Sequence, residues 1–79
     1  MERKELEAKI IEIAAMSYNK AESELSINTD IKEELGGASI LMVGLVSEIE
    51  NELEVMVSLQ TAATCKTIGD LVDKVEELL

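Results

Sequence analysis

Apolar residues recur at the spacing of an α-helix in three separate segments, and this periodicity limits the possible folds more than any other feature. The three apolar faces consist of Leu6, Ile10, Ile13 and Ala14; of Met42, Leu45, Val46, Ile49 and Leu53; and of Ile68, Leu71, Val72, Val75 and Leu78. Leu59 and Ala62 indicate a further short turn or helix. The sequence therefore predicts helices over residues 5–18 and about 39–53, and a last helix that begins behind Thr67.

Turn and cap residues separate these helices. Residues 19–29 are mostly polar and predict a long loop. Asp30 and the two residues before it are good N-caps for a short turn through Leu35, which the pair Gly36-Gly37 ends. Residues 67–70 read Thr-Ile-Gly-Asp and predict a capping box at the start of the last helix.

The composition supports a purely helical fold. The 79 residues include no proline, tryptophan or phenylalanine and a single tyrosine, Tyr18, whereas β-sheets favour aromatic and β-branched residues. We predict an all-α four-helix bundle of three longer helices and one short helix, with a long loop between helices one and two. We also predict a single domain that spans residues 1–79.

The charge balance excludes several classes of partner. Seven basic residues against 17 acidic ones give a formal charge of -10, which opposes binding to nucleic acid or to an anionic membrane. No apolar run is long enough to insert into a bilayer, and the charged residues 1–5 do not open a signal segment. The single Cys65 cannot form an internal disulfide. We expect a cytoplasmic monomer.

Several catalytic arrangements are excluded. The chain has no histidine, so it cannot form a Ser–His or Cys–His pair or a histidine metal site, and it has no glycine-rich phosphate loop. Glu48, Glu50, Glu52 and Glu54 alternate along a helix and predict a solvated surface. We predict that Cys65 is a small buried residue. We predict that the ring of Tyr18 is packed and that its hydroxyl lies in water. We expect neither an enzyme nor a metal site.

The segment around Ser39 departs from an ordinary amphipathic pattern. A glycine pair leads into Ser39 at a predicted helix start, and more apolar residues follow than one buried face needs. Ile40 and Val43 project towards the side of Ser39, as the residues of a docking surface would. The amide groups of a helix N-terminus favour an attached phosphodiester. Serine is also a common N-cap, so the residue alone does not decide between these roles.

The segment from Leu35 to Ile40 reads Leu-Gly-Gly-Ala-Ser-Ile and resembles the attachment motif of phosphopantetheine carrier proteins. That motif reads Leu-Gly-Ala-Asp-Ser-Leu in acyl carrier proteins and Leu-Gly-Gly-His-Ser-Leu in peptidyl carriers. The segment from Thr67 to Val72 is similar to the Thr-Val-Gly-Asp-Ala-Val that opens the last acyl-carrier helix. The similarity extends over almost the whole chain, although Ala38 stands where aspartate or histidine is usual.

The resemblance implies a non-enzymatic carrier. Its 4′-phosphopantetheine would be attached covalently to Ser39 by a phosphopantetheinyl transferase that uses coenzyme A. The thiol of the arm would hold acyl, aminoacyl or peptidyl intermediates as thioesters for fatty-acid, polyketide or nonribosomal-peptide-type biosynthesis. Ile40, Val43 and Ser47 would match the partner-facing edge of the helix after Ser39. Glu48 and Glu50 would complement basic docking patches on the loading and processing enzymes.

Two alternatives stay open at this point. The glycine pair and Leu41-Met42 favour an aminoacyl or peptidyl carrier, whereas the acidity and the capping-box segment favour an acyl carrier. A different class of protein, an unmodified helical interaction module or a degenerate carrier, would also fit, and Ala38 is its main support.

Overall fold

The computed structural model describes residues 2–35 and 39–79. Helix α1 spans Arg3–Tyr18, α2 spans Ile31–Glu34, α3 spans Ser39–Leu53, α4 spans Leu59–Thr64 and α5 spans Ile68–Leu78. A single 3-10 turn covers Glu22–Glu24, and the described residues contain no β-strand. The prediction of an all-α bundle with three longer helices is confirmed, and the described residues contain two short helices, α2 and α4, where one was predicted. The short turn predicted after Asp30 is the four-residue helix α2.

The core lies where α1, α3 and α5 meet. Helix α1 packs against α3 and α5, and α4 packs against α3. All four predicted α1 positions are buried, as are Leu45, Val46 and Ile49 of α3. The fully buried large side chains are Leu6, Ile10, Ile13, Ile31, Leu45, Ile49, Ile68, Leu71, Val72 and Val75. Helical periodicity therefore identified the faces that the three longer helices bury.

Leu78 is the exception to the predicted core. It follows the spacing of the α5 stripe, but half of its surface is exposed. It lies in the last turn of α5, where the side chain joins Met56 and Thr61 in lining an open groove. The interpretation of Leu78 as a core residue is wrong, because periodicity continues past the point at which the helix has anything to pack against.

The ends of α1 and α5 are held together by one arginine. Arg3 Nε lies 2.9 Å from Glu7 Oε2, and its Nη1 lies 2.7 Å from Asp73 Oδ1 and 3.0 Å from Glu76 Oε1. Hydrogen bonds to Glu7 and then Asp73 raise the pKa of the Arg3 guanidinium above its ordinary value. These contacts explain why α1 begins at Arg3, two residues before the predicted start at Glu5.

Local hydrogen bonds end and begin the other helices as the cap residues predict. Thr67 Oγ1 accepts from the Asp70 amide at 3.1 Å, and Asp70 Oδ2 accepts from the Thr67 amide at 3.1 Å, so the predicted capping box is confirmed. Ser58 caps α4 through the Thr61 amide. The glycine pair predicted to end α2 and the atypical Ala38 lie outside the described residues.

Candidate functional site

The chain before Ser39 is fixed by caps within α2 and by backbone pairing to α5. Asp30 Oδ1 accepts from the Glu33 amide at 2.8 Å, and Glu34 Oε2 accepts from the Asp30 amide at 2.7 Å. Ile31 is buried at the start of α2, and Leu35 is buried just after its end. The chain is thus anchored in the core only a few residues before Ser39.

Three backbone hydrogen bonds attach the long loop to the start of α5. The Ile31 amide donates to the Lys66 carbonyl at 2.8 Å, and the Ile68 amide donates to the Thr29 carbonyl at 3.1 Å. The Gly69 amide donates to the Ile27 carbonyl at 2.8 Å. We call this set of three bonds the loop staple. It holds a mainly polar segment that has few apolar anchors of its own.

Helix α3 begins at Ser39 and is held in place by its inner face. Met42 packs against the core, and Leu45 and Val46 are buried one turn later. The first amide groups of any α-helix have no partner within the helix, and the helix dipole favours a negative charge there. The backbone at Ser39 therefore suits a serine that bears a phosphodiester.

Apolar side chains are exposed immediately after Ser39. Ile40 is 79% exposed and Val43 is 46% exposed, in agreement with the outward orientation that the sequence predicts. Leu41 is 37% exposed, and Ser47 is exposed one turn after Val43. The first half of α3 thus presents an apolar surface beside its N-terminus, of the kind that protein partners contact.

The glutamates along α3 lie at the surface, and two of them also bind groups of neighbouring segments. Glu50 Oε2 accepts a hydrogen bond of 3.1 Å from the Val57 amide, and Glu52 Oε1 lies 2.7 Å from Lys9 Nζ. The hydrogen bond to Glu52 raises the pKa of Lys9. Glu48 is half-buried, and Glu54 follows α3 with a left-handed φ of 55°. None of the four is buried, which agrees with the predicted surface, and the two engaged carboxylates also fasten the end of α3 to its neighbours.

Tyr18 and Cys65 occupy buried positions. Burial raises the pKa of the Cys65 thiol, and its Sγ donates to the Thr61 carbonyl at 3.5 Å, so its prediction as a small buried residue is confirmed. The Tyr18 ring is buried as predicted, but its hydroxyl is buried too and has no hydrogen-bond partner among the described residues. The prediction of a hydroxyl in water is therefore wrong. The α1 spacing from Ala14 to Tyr18 is the signal that places this residue inside.

Other kinds of site have no support in residues 2–35 and 39–79. No group of acidic and cysteine side chains there could hold a metal ion. Nor does any helix in these two ranges combine the length and apolar character needed to cross a bilayer. The surface around the start of α3 is the feature that carries functional information.

Comparison with known proteins identifies the family of the chain. The chain matches the family described as PP-binding, phosphopantetheine attachment site, over residues 8–75. It is 28% identical to an acyl carrier protein of Exiguobacterium sibiricum, over 96% of each chain. It is 33% identical to an acyl carrier protein of Rickettsia bellii over 91% of this chain and 89% of the relative. It is also 32% identical to an acyl carrier protein of Clostridium perfringens over 87% of this chain and 91% of the relative.

These matches extend over nearly the whole bundle rather than over the motif alone. The protein is accordingly a non-enzymatic carrier with a covalently attached 4′-phosphopantetheine, which supplies a thiol on a flexible arm. Its interactions with a phosphopantetheinyl transferase and with acyl-processing enzymes follow from the family. The chain belongs to the phosphopantetheine-dependent carrier proteins, the family of the acyl carrier proteins.

Proposed function

We propose that Ser39 is the residue to which the phosphopantetheine is attached. The observation that carries this proposal is the coincidence of a serine, a helix start and exposed apolar neighbours at one end of α3. The matched family segment, residues 8–75, includes this position. Ser47 lies within α3 rather than at its start. Ser58 also stands at a helix start beside exposed apolar residues, Met56 and Leu59, but its hydroxyl is engaged with Thr61 as the cap of the six-residue helix α4.

We infer that the whole chain works as one carrier domain for acyl cargo. The relatives described above are named acyl carrier proteins, which supports acyl rather than aminoacyl intermediates. Residues from α1 to α5 contribute to the same core, which supports a single domain over residues 1–79, and we propose that this domain acts as a monomer. The free, buried Cys65 is compatible with action in the reducing cytoplasm.

We propose that partners contact the exposed edge of α3 formed by Ile40, Val43 and Ser47. Glu48 lies at the border of this edge and would meet basic side chains of a partner. Glu50 has one oxygen engaged by the Val57 amide, so it would contribute mainly through its charge. Charges at the border of an interface chiefly speed encounter, while buried apolar contacts supply affinity.

Intact-mass measurement tests the attachment site. The purified protein, incubated with coenzyme A and a broad-specificity phosphopantetheinyl transferase, is expected to gain the mass of one arm. Ser39→Ala is expected to abolish the gain, whereas the control variant Ser47→Ala, an exposed position on the same helix, is expected to retain it. A gain that persists in Ser39→Ala, or none in the unsubstituted protein, would refute the assignment.

A further inference from the structure

The first residues of α2 and α5 are paired side by side. Asp30 is the N-cap of α2 and Thr67 is the N-cap of α5, and these two residues form an antiparallel backbone bridge. Two of the three bonds of the loop staple flank this bridge, one of them from the Ile31 amide to the Lys66 carbonyl. The place at which α2 begins is therefore set by α5.

The carboxylate of Asp70 holds the α5 side of this bridge. Its Oδ2 accepts from the amides of both Lys66 and Thr67, at 3.1 Å each, and the Asp70 amide donates to Thr67 Oγ1 at 3.1 Å. Lys66 thus donates to Asp70 through its amide and accepts from Ile31 through its carbonyl. Hydrogen bonds to an ionised acceptor are stronger than those between neutral groups. Asp70 therefore orients the backbone that receives the start of α2.

Helix α2 connects this bridge to Ser39 over a short length of chain. The Asp30 carboxylate accepts from the Glu33 amide at 2.8 Å, and Glu34 Oε2 accepts from the Asp30 amide at 2.7 Å, so the single turn of α2 is tied to its own N-cap. Leu35 is buried directly after this turn, and only three residues separate Leu35 from Ser39. A displacement of α2 is therefore passed on to the serine.

The start of α3 has little hold of its own on the core. Ile40 is 79% exposed, Leu41 is 37% exposed, and Met42 is only partly buried. The first buried side chain after Ser39 is that of Leu45, more than one turn along the helix. The residues before Ser39 must therefore supply much of what fixes its position.

We propose that Asp70 is a positioning residue for the attachment of phosphopantetheine to Ser39, and that it acts from α5 through the Asp30–Thr67 bridge and α2. The carboxylate orients the segment from which α3 starts, and with it the direction in which Ser39 meets the transferase. The inference rests on the proposed function of Ser39 and adds to it a requirement that lies on a different helix.

Steady-state kinetics with a broad-specificity phosphopantetheinyl transferase separate positioning from stability, provided that circular dichroism shows each variant to be folded at the assay temperature. Asp70→Ala is expected to lower kcat about fivefold and to keep KM within about twofold, because a misplaced reacting group costs rate rather than binding. Asp70→Asn retains an acceptor oxygen, so its kcat is expected to stay within about twofold although its Tm falls. Arg3→Ala is the matched control, since it breaks the pairs with Asp73 and Glu76 farther along α5 and is expected to leave kcat unchanged.

Amide hydrogen exchange supplies a measurement that does not involve the transferase. In Asp70→Ala, exchange at the Ile31 amide is expected to accelerate about tenfold relative to exchange at the Ile10 amide in α1, because the bridge opens while the core persists. Gly69→Ala is the second variant if Asp70→Ala does not fold. Its Cβ would lie 2.9 Å from the Ile27 carbonyl oxygen and strain the same staple, so the same changes in kcat and in Ile31 exchange are expected.

Each contrary result has a distinct meaning. Faster exchange at Ile31 with an unchanged kcat would show that opening the bridge does not reach Ser39, and would overturn the inference while leaving Ser39 as the attachment site. A rise in KM alone would overturn it as well. In Asp70→Ala that rise would report fewer folded molecules, and in Asp70→Asn it would report a direct contact between the carboxylate and the transferase. Failure of the unsubstituted protein to gain mass would overturn the proposed function and the inference with it.

Discussion

The buried hydroxyl of Tyr18 allows a direct test of the packing at the end of α1. Only 6% of this residue is exposed, and its hydroxyl has no hydrogen-bond partner among the described residues. Phenylalanine would retain the ring and its contacts with the core while removing the oxygen. Tyr18→Phe is therefore expected to stabilise the protein, although substitutions in a core usually destabilise it.

The magnitude follows from the cost of burying a polar group. A hydroxyl that loses water without gaining a hydrogen bond costs about 1–3 kcal/mol in protein mutational data. The small gap left by the oxygen offsets part of this gain, because its neighbours lose dispersion contacts. A net gain of about 1 kcal/mol in the free energy of unfolding remains, which corresponds to a rise in Tm of about 4–8 °C for a domain of this size.

Alkaline pH is expected to enlarge the difference in stability between Tyr18→Phe and the unsubstituted protein. Burial raises the pKa of Tyr18 above its ordinary value of 10.0, because the folded state disfavours the phenolate. Because the unfolded state ionises first, this titration leaves the free energy of unfolding unchanged below pH 10 and lowers it as pH rises above that value. Tyr18→Phe has no such group, so its advantage is expected to grow above pH 10. The other ionisable groups are the same in both proteins, so their effects on stability cancel in the comparison.

Thermal unfolding followed by circular dichroism at pH 7 and pH 10.5 measures both effects. Tyr18→Leu is the control, since it removes the ring together with the hydroxyl and is expected to lower Tm through lost packing. A lower Tm for Tyr18→Phe than for the unsubstituted protein would refute the reasoning. It would mean that the hydroxyl makes a hydrogen bond whose loss outweighs the relief of burial.

Three further variants test other parts of the structure. Asp70→Asn is expected to lower Tm at neutral pH, because hydrogen bonds from the amides of Thr67 and Lys66 hold the pKa of the Asp70 carboxyl below its ordinary 3.8. The loss of Tm should shrink as pH falls below about 3.8, and a difference in Tm that stays constant down to pH 2.5 would contradict this cause. Gly69→Ala is expected to lower Tm by several degrees, since its Cβ would lie 2.9 Å from a backbone oxygen, and an unchanged melting curve would show that the loop yields easily. Val43→Asp is expected to preserve the helical circular dichroism while slowing attachment of the arm several-fold, because it charges an exposed apolar contact; loss of helicity would place Val43 in the core instead.

The predictable part of the fold is the part that local spacing determines. The bounds of α3, the capping box at Thr67 and the inner faces of the three longer helices all follow from residues within a few positions of one another. The same helical geometry predicts that Ile40 and Val43 face away from the core, and their exposure agrees with this prediction. These features depend on residues in the same or adjacent helical turns, so they can be predicted from the sequence.

Tertiary partners could not be predicted in this way. The pairing of Glu52 with Lys9 joins residues on different helices, and the bond from the Val57 amide to Glu50 depends on how the chain leaves α3. The orphan hydroxyl of Tyr18 depends on what covers the end of α1. The burial predicted for Leu78 is wrong for the converse reason, because the apolar pattern continues to a position where no other element covers it.

The loop staple makes the position of the long loop depend on α5. Ile27, Thr29 and Ile31 form these bonds with the first turn of α5 and the residue before Thr67, so the bonds cannot form until α5 has docked. Contacts between segments far apart along the chain carry a loop-closure cost and form late. Before α5 docks, the residues that lead to Ser39 therefore lack these three bonds. Completion of α5 closes that loop, so the shape presented to a modifying enzyme becomes a property of the finished bundle rather than of the motif.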